Sequence, residues 1–270
     1  MITTHTRSFN LVGLAIGLLA SSLAMAQEAA VPPADTTWQF TVGLGAVSQP
    51  RYPGSAHQKT SGFPVLSAGY GRYFIGGVPG AGVPAGVGAY LVQDEHWRLG
   101  VGLGGNLQKP RKESDSPRLQ GLGDIDATAL AAVFASYNDK WWTLRGNVLT
   151  DVGGKQQGTR LSMDAEARYP IGQTVALSAG PGFTWADAKY TQKFFGIDTA
   201  QSARSGLAPY TAKAGLNSVG FTVGADMRIA LSWGLGMRVT ASKLHGDAVN
   251  SPVTEKTTQT TVGLFAAYRF

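Results

Sequence analysis

The chain has 270 residues, a formal net charge of +6, 36 glycines, no cysteine, 10% aromatic residues and only 15% charged residues. A charged fraction near 25% is usual for soluble domains, and no stretch beyond residue 26 approaches 18 uninterrupted apolar residues, which excludes a helical membrane protein. Low charge, many glycines and many aromatics at a mean hydropathy close to zero are typical of a transmembrane β-barrel, in which apolar and polar residues alternate.

The first 26 residues are predicted to be a cleaved export signal. Arg7 and the amino terminus give a weakly positive start, and residues 11–19 form an apolar run shorter than the roughly 20 residues of a membrane-spanning helix. Small residues before the expected cleavage site fit the pattern that signal peptidase reads, so we expect cleavage between Ala26 and Gln27. Without cysteine, the exported chain is not a lipoprotein and needs no disulfide.

Apolar and polar residues alternate with a period of two through most of the remaining chain. From Arg160 to Tyr169 the odd positions are apolar or small, whereas the even positions carry Arg, Ser, Asp, Glu and Arg. Between Val219 and Leu231 the same pattern places Val223 on the apolar side and Thr222 on the polar side. This period predicts strands with one apolar and one polar face, and their length of about 10 to 14 residues exceeds that of most soluble strands.

The linkers alternate between short and long, as in a barrel with short periplasmic turns and long outer loops. Counting with this rhythm predicts an antiparallel up-and-down barrel over residues 38–270, preceded by a flexible periplasmic segment over residues 27–37. The predicted strands are 38–47, 63–70, 72–78, 84–93, 96–108, 124–137, 141–153, 158–170, 173–186, 216–231, 233–245 and 258–270. Glycines and prolines between residues 76 and 84 make the third and fourth strands difficult to pair, so ten strands are the alternative to twelve.

Aromatic residues collect at the predicted strand ends, where interfacial girdles of a barrel lie. They are Trp38, Trp97, Trp141, Trp142, Tyr169, Trp185 and Trp233. The last strand alternates to its end and closes with Tyr268 and Phe270 on one face. This ending resembles the signal recognised by the outer-membrane barrel assembly machinery, which we therefore expect as a partner during biogenesis.

No pattern for catalysis, a cofactor or a metal is evident. Zinc-ligand spacings and a G-x-S-x-G elbow are missing from the sequence, and the alternating glycines at 100, 102 and 104 are more simply explained as thinning the inner wall of a strand. Basic residues are not grouped with aromatics, so nucleic acid is not an expected partner. The expected partners are instead outer-membrane lipid and the phosphates of lipopolysaccharide.

One group of residues leaves a surface hydrolase open as a minor hypothesis. His245, Asp247 and Ser251 lie within seven residues near the predicted outer rim, and a His–carboxylate pair can orient a catalytic base. The simpler interpretation is a polar loop in which Asp247 or Ser251 caps a turn beside Pro252.

Charged residues on the polar face of the strands are expected to point into the barrel lumen. They are Arg98, Asp126, Arg145, Arg160, Asp164, Glu166, Arg168, Asp226, Arg228 and Arg238. Mixed signs at this density predict ion pairs across neighbouring strands, which would fill and stiffen the barrel. The alternative is a selectivity lining for small polar solutes.

Several loop motifs are shared with a known family. They are Tyr52, Pro53, Gly54 and Ser55, then Phe195 and Gly196, then Ser202, Ala203, Arg204, Ser205, Gly206 and Leu207, then Gly246, Asp247, Ala248, Ser251 and Pro252, and finally Tyr268, Arg269 and Phe270. On these residues the chain resembles the MipA/OmpV family of outer-membrane proteins across nearly all of its length after the export signal. Phe194, Ile197 and Asn250 depart from the tyrosine, valine and aspartate expected there.

The resemblance implies an outer-membrane barrel without catalytic residues. The family is named for a protein that interacts with a lytic murein transglycosylase, and one member is regarded as a scaffold between a murein hydrolase and a murein synthase. The leading hypothesis is therefore an envelope scaffold linked to murein remodelling, with a small polar-solute channel second. Arg204 could pair with a loop carboxylate or with a lipopolysaccharide phosphate, and the loop motifs could equally serve loop folding.

Overall fold

The computed structural model describes residues 37–78, 82–106 and 108–270. The expected export signal and the cleavage position between Ala26 and Gln27 lie outside the described residues. So does the predicted flexible segment, apart from residue 37. These assignments stay predictions.

Twelve antiparallel strands close into one barrel, in which β1 pairs with β12 and every other strand pairs with its sequence neighbours. The strands are β1 (Trp38–Pro50), β2 (Gln58–Tyr70), β3 (Tyr73–Val78), β4 (Val83–Gln93), β5 (Trp97–Gly105), β6 (Ala129–Asn138), β7 (Trp142–Asp151), β8 (Thr159–Ile171), β9 (Val175–Ala186), β10 (Gly215–Arg228), β11 (Trp233–Leu244) and β12 (Thr258–Arg269). The prediction of twelve strands is confirmed. The ten-strand alternative is wrong because β3, although short, pairs on both sides, with Ser67 opposite Gly76 and Tyr73 opposite Ala89.

The connections differ sharply between the two ends of the barrel. One end has only short turns, at 71–72, 94–96, 139–141, 172–174 and 229–232. The longer connections lie at the other end. They are residues 152–158 and four loops over residues 51–57, 106–128, 187–214 and 245–257, and these four contain helices α1 (Ala188–Phe195), α2 (Thr199–Ser205) and α3 (Gly246–Asn250). None of the helices in the described part of the chain is long and apolar enough to cross a membrane. Short turns mark the periplasmic end of such a barrel, so we call it the periplasmic end.

The outer surface of the barrel is apolar, as the alternation predicts. Exposed large apolar side chains follow every second position of the strands, among them Val42, Leu44, Leu66, Ile75, Val101, Leu103, Val133, Phe221, Val223 and Leu264. Thr222 has the opposite orientation, and its hydroxyl lies 2.8 Å from that of Thr240 across β10 and β11. Most of the predicted girdle tryptophans lie at the periplasmic end, whereas Trp185 lies near the long-loop end of β9.

Several predicted strand boundaries are wrong, and one of them moves a predicted lumen charge. β2 begins at Gln58 instead of residue 63, the strand predicted over 96–108 ends at Gly105, and the one predicted over 124–137 begins at Ala129. Asp126 therefore lies in the loop before β6, where its carboxylate pairs with Lys109 at 3.2 Å and Lys155 at 3.6 Å. The backbone of this segment pairs within the loop, with Ile125 opposite Arg111.

Replacing Val223 with arginine tests the orientation of β10. Val223 is 46% exposed near the middle of its strand, so the substitution places a charge in hydrocarbon and should lower the free energy of unfolding by about 2–4 kcal/mol. Urea unfolding in lipid vesicles, followed by tryptophan fluorescence, measures the loss. Val223→Leu is the control and should unfold like the unmodified protein. Equal stability of Val223→Arg would contradict a lipid-facing position.

Candidate functional site

The inside of the barrel has an apolar wall and a polar wall. Aromatic residues point inward from β2, β3, β6 and β12, and Phe63, Phe74, Phe134 and Phe265 are all buried. Polar and charged residues are most frequent at the inward positions of β7, β8, β10 and β11. Inward positions of the other strands more often carry glycine, alanine or apolar residues, so the charged lining predicted from the alternation is concentrated on one side of the barrel.

Inward phenylalanine rings lie over glycines of a neighbouring strand. A Cβ atom at Gly45, Gly100 or Gly236 would fall far inside contact distance of the ring of Phe63, Phe134 or Phe265, respectively. Such aromatic cover of glycine is known to stabilise β-sheets and pin their register. The alternating glycines were recognised in the sequence, but the rings that cover them were missed. An inward aromatic one strand away from an inward glycine is the signal that would have found them.

Two ion-pair groups occupy the polar wall. Arg145 on β7 bonds to Asp164 at 2.8 Å and to Glu166, both on β8. On β11, Arg238 donates both guanidinium nitrogens to the two carboxylate oxygens of Asp226 on β10, at 2.7 and 3.2 Å. Glu166, Asp226 and Arg238 are buried. Buried charges of this kind are tolerated only while they stay paired, because desolvation penalises an isolated ion strongly.

The other arginines proposed for the lumen lie towards the two ends. Arg160, opposite Leu149, is near the long-loop end. Arg98, Arg168 and Arg228 are near the periplasmic end of β5, β8 and β10, and Arg228 is the last residue of its strand. The structure therefore brings five of the ten predicted residues into the two ion-pair groups and places Arg168 and Arg228 beside one cavity at the periplasmic end.

The four long loops pack against each other over the outer end of the barrel, and we call this assembly the cap. It contains two buried apolar clusters, one formed by Ile125, Phe194, Phe195, Ala212, Leu244 and Ala248, the other by Tyr52, Leu119, Leu122, Ile197 and Val253. Arg111 is 2% exposed between the loops and donates to the carbonyl of Phe194 at 3.1 Å. Burial lowers the pKa of its guanidinium to about 10.

The motif from Ser202 to Leu207 serves the end of helix α2. The Ser202 hydroxyl donates to the Leu207 carbonyl at 2.7 Å, and the Ser205 hydroxyl accepts from the Leu207 amide at 3.2 Å. Gly206 ends the helix in the left-handed conformation, with φ 73°, which glycine adopts without steric cost. Arg204 donates to the backbone carbonyl of Gly121 at 3.1 Å. The motif thus joins the loop 187–214 to the loop 106–128.

The residues of the hydrolase hypothesis are also engaged in loop contacts. The buried Ser251 hydroxyl donates to the carbonyl of Phe195 at 2.6 Å and accepts from the amide of Val253 at 3.1 Å. The Asp247 carboxylate accepts from the backbone amide of Lys213 at 2.7 Å. Within the described residues, no hydrogen bond joins either group to His245. This geometry suits a packed loop far better than a nucleophile and its base.

Glu255 links three of the four cap loops. Its carboxylate accepts from the amide of Ala56 at 3.0 Å and from the Ser116 hydroxyl at 2.8 Å. Burial alone would raise the pKa of this carboxyl, but these hydrogen bonds outweigh burial and hold the pKa below its ordinary value. Next to it, burial and the Glu255 charge raise the pKa of Tyr52 to about 12.

Comparison with known sequences places the chain in a family. The family model described as MltA-interacting protein MipA matches residues 42–270. The chain belongs to this family. The MltA-interacting protein of Escherichia coli is 22% identical over 256 residues, which cover 94% of this chain and 98% of that protein. YiaT of Escherichia coli, named as an outer membrane protein, is 28% identical over 101 residues, which cover 37% of this chain but only 41% of YiaT.

Among solved structures, the outer membrane channel DcaP of Acinetobacter baumannii aligns with a TM-score of 0.41 and 9% identity, over 87% of this chain and 96% of that channel. The closed barrel with an apolar outer surface and the family membership both indicate a location in the outer membrane. The MipA-family protein is an outer-membrane β-barrel.

Removing Arg145 from the MipA-family barrel should destabilise it strongly. Arg145→Ala leaves the buried carboxylate of Glu166 and the half-buried one of Asp164 without a counter-charge, and breaking a buried pair in this way costs about 3–5 kcal/mol. Urea unfolding in vesicles measures the change. Arg160→Ala is the matched control, since Arg160 on β8 takes part in none of the ion pairs of the described residues; its effect should stay below about 1 kcal/mol. Similar losses for both variants would contradict the role of the pair.

Acid should loosen the cap through Glu255. Because its pKa is lower in the folded state, its contribution to stability is complete above its ordinary pKa and is lost as the pH falls through the lower folded value. The protection of residues 51–57 against hydrogen exchange, corrected for the intrinsic exchange rate at each pH, should therefore decrease at low pH. Glu255→Gln should show the faster exchange already at pH 7, whereas Glu95→Gln, in a periplasmic turn, should not. Slow exchange in Glu255→Gln at pH 7 would rule out this link.

Proposed function

We propose that this MipA-family protein is a non-catalytic interaction protein that docks murein-remodelling enzymes at its periplasmic end. The observation that carries the proposal is the family membership over residues 42–270. It is supported by a relative named for interaction with MltA that aligns over 98% of its own length. A murein hydrolase or synthase is the expected partner class.

The distribution of polar groups in the barrel favours the periplasmic end as the docking face. In the cap, the motif hydroxyls and carboxylates are used in contacts between loops, as at Ser251 and Asp247. At the other end, the short turns expose charged side chains such as Glu95 and Lys140, and murein lies on this side of the outer membrane.

Site-specific photo-crosslinking tests both the partner class and the face. A photoreactive residue at Glu95, Lys140 or Gln173, each in an exposed periplasmic turn, should crosslink to a murein hydrolase or synthase in intact cells. The same residue at Lys189, exposed in the cap, is the matched control and should not. Mass spectrometry identifies the partners. Crosslinks to murein enzymes from neither face would remove the scaffold proposal, and crosslinks from Lys189 alone would reverse the face.

A passage for small polar solutes is the second candidate function, and the polar wall is the observation that favours it. The two ion-pair groups present charges inside the barrel, as a selectivity lining would. Single-channel recording in planar bilayers distinguishes the two candidates. A barrel filled by paired charges and covered by the cap gives no conductance steps, whereas a solute pathway gives regular ones.

A further inference from the structure

A cavity of about 580 Å³ lies at the periplasmic end of the barrel, and we call it the vestibule. Turn residues such as Lys140, Gln173 and Ser232 surround its mouth. At its inner end lie Phe265 and Asp226, both buried, and Asp226 is held by Arg238. The vestibule is therefore open towards the periplasm and bounded on the inside by packed side chains. Its volume lies in the range of about 300–1,000 Å³ that is usual for small-molecule sites.

Three arginines from three different strands line the vestibule. Arg168 on β8, Arg228 on β10 and Arg269 on β12 share it with Lys140, whereas the acidic lining residues are Asp139 and Asp226. Asp226 is already neutralised by two hydrogen bonds from Arg238. The excess charge of the vestibule is therefore positive.

Within the part of the chain that the structure describes, these arginines have no acidic partner of their own. Arg269 donates to the side-chain oxygen of Gln39 at 2.7 Å, and no ion pair of the described residues includes Arg168, Arg228 or Arg269. Like charges gathered in a cleft raise the local potential and attract counter-ions of the opposite sign. Guanidinium groups bind carboxylates with two parallel hydrogen bonds, so a carboxylate is the group that this arrangement fits best.

The remaining lining adds an apolar requirement. Phe265 and Ala267, both buried, line the same cavity together with Pro170 and Ala176. A ligand with only charged groups would leave this surface in contact with water, whereas a compact apolar body bearing carboxylates would cover it. A combination of a few fixed polar groups with apolar walls is characteristic of small-molecule sites.

We propose that the vestibule binds a small organic anion that carries at least two carboxylates on an apolar body and enters from the periplasm. The arginines hold the carboxylates, and the apolar body lies against Phe265 and its neighbours. The packed inner end means that the anion is bound at this end and not passed through. This site does not depend on the docking of a murein enzyme, so either proposal can fail without the other.

Binding is tested on the full chain folded in detergent micelles, with phthalate as the probe. Isothermal titration calorimetry should show saturable binding that weakens with added salt. Phthalamide, the neutral analogue of phthalate, should not bind. The double variant Arg168→Gln/Arg228→Gln should lose at least about tenfold in affinity. Arg204→Gln, in the cap, is the matched control and should bind normally, and circular dichroism checks that each variant is folded.

Two further probes, inorganic phosphate and a short acidic peptide, distinguish a small organic anion from other anionic ligands that arginines could bind. Inorganic phosphate should bind more weakly than phthalate, since it has no apolar body, and a short acidic peptide should not compete with phthalate. Saturable binding of the peptide without binding of phthalate would overturn the proposal in favour of a protein segment. Absence of phthalate binding, or binding that both glutamine substitutions leave unchanged, would overturn the site itself.

Discussion

The hydrogen bonding of the backbone within the membrane is the constraint on which the rest of the structure depends. Hydrocarbon offers no partner for an exposed amide or carbonyl, so a sheet in the membrane must close on itself. Closure is achieved between β1 and β12, from Thr41 opposite Arg269 to Ser48 opposite Val262. Once the sheet is closed, strand geometry assigns every second side chain to lipid and the others to the interior. The interior is then free to be filled in more than one way.

The barrel fills its interior by two different physical means. On one wall, rings such as Phe134 cover glycines such as Gly100, which removes apolar surface from water and brings the backbone close. On the other, Arg145 and Arg238 pair with carboxylates of the adjacent strand. The cap covers the outer end of the barrel. Its loops are held together by apolar clusters and by hydrogen bonds from serine hydroxyls to backbone carbonyls, as at Ser251.

Much of the fold is a direct consequence of the sequence. Alternation over many residues assigns Val223 to lipid and Thr222 to the interior without any knowledge of neighbouring strands, because side-chain direction is a property of a single strand. The number of strands follows from the same pattern combined with the rhythm of the linkers. The motif from Ser202 to Leu207 was recognised, and its Gly206 is the type of residue that ends a helix. Location in the outer membrane follows from the apolar face that the alternation creates.

Contacts between strands and loops were decided only by the tertiary structure, because they depend on register and closure. Alternation alone does not say which strand supplies the ring over Gly100, or that Arg145 meets both carboxylates of β8. Asp126 fits the polar pattern of a strand, yet it lies in a loop, where it pairs with two lysines distant in sequence. Likewise Arg168 and Arg228 look like separate lumen charges along the chain, and only closure brings them to one cavity. The sequence by itself thus determined the direction of side chains within the regular strands, a local property of the strand, whereas their partners, which come from distant residues, required the closed barrel.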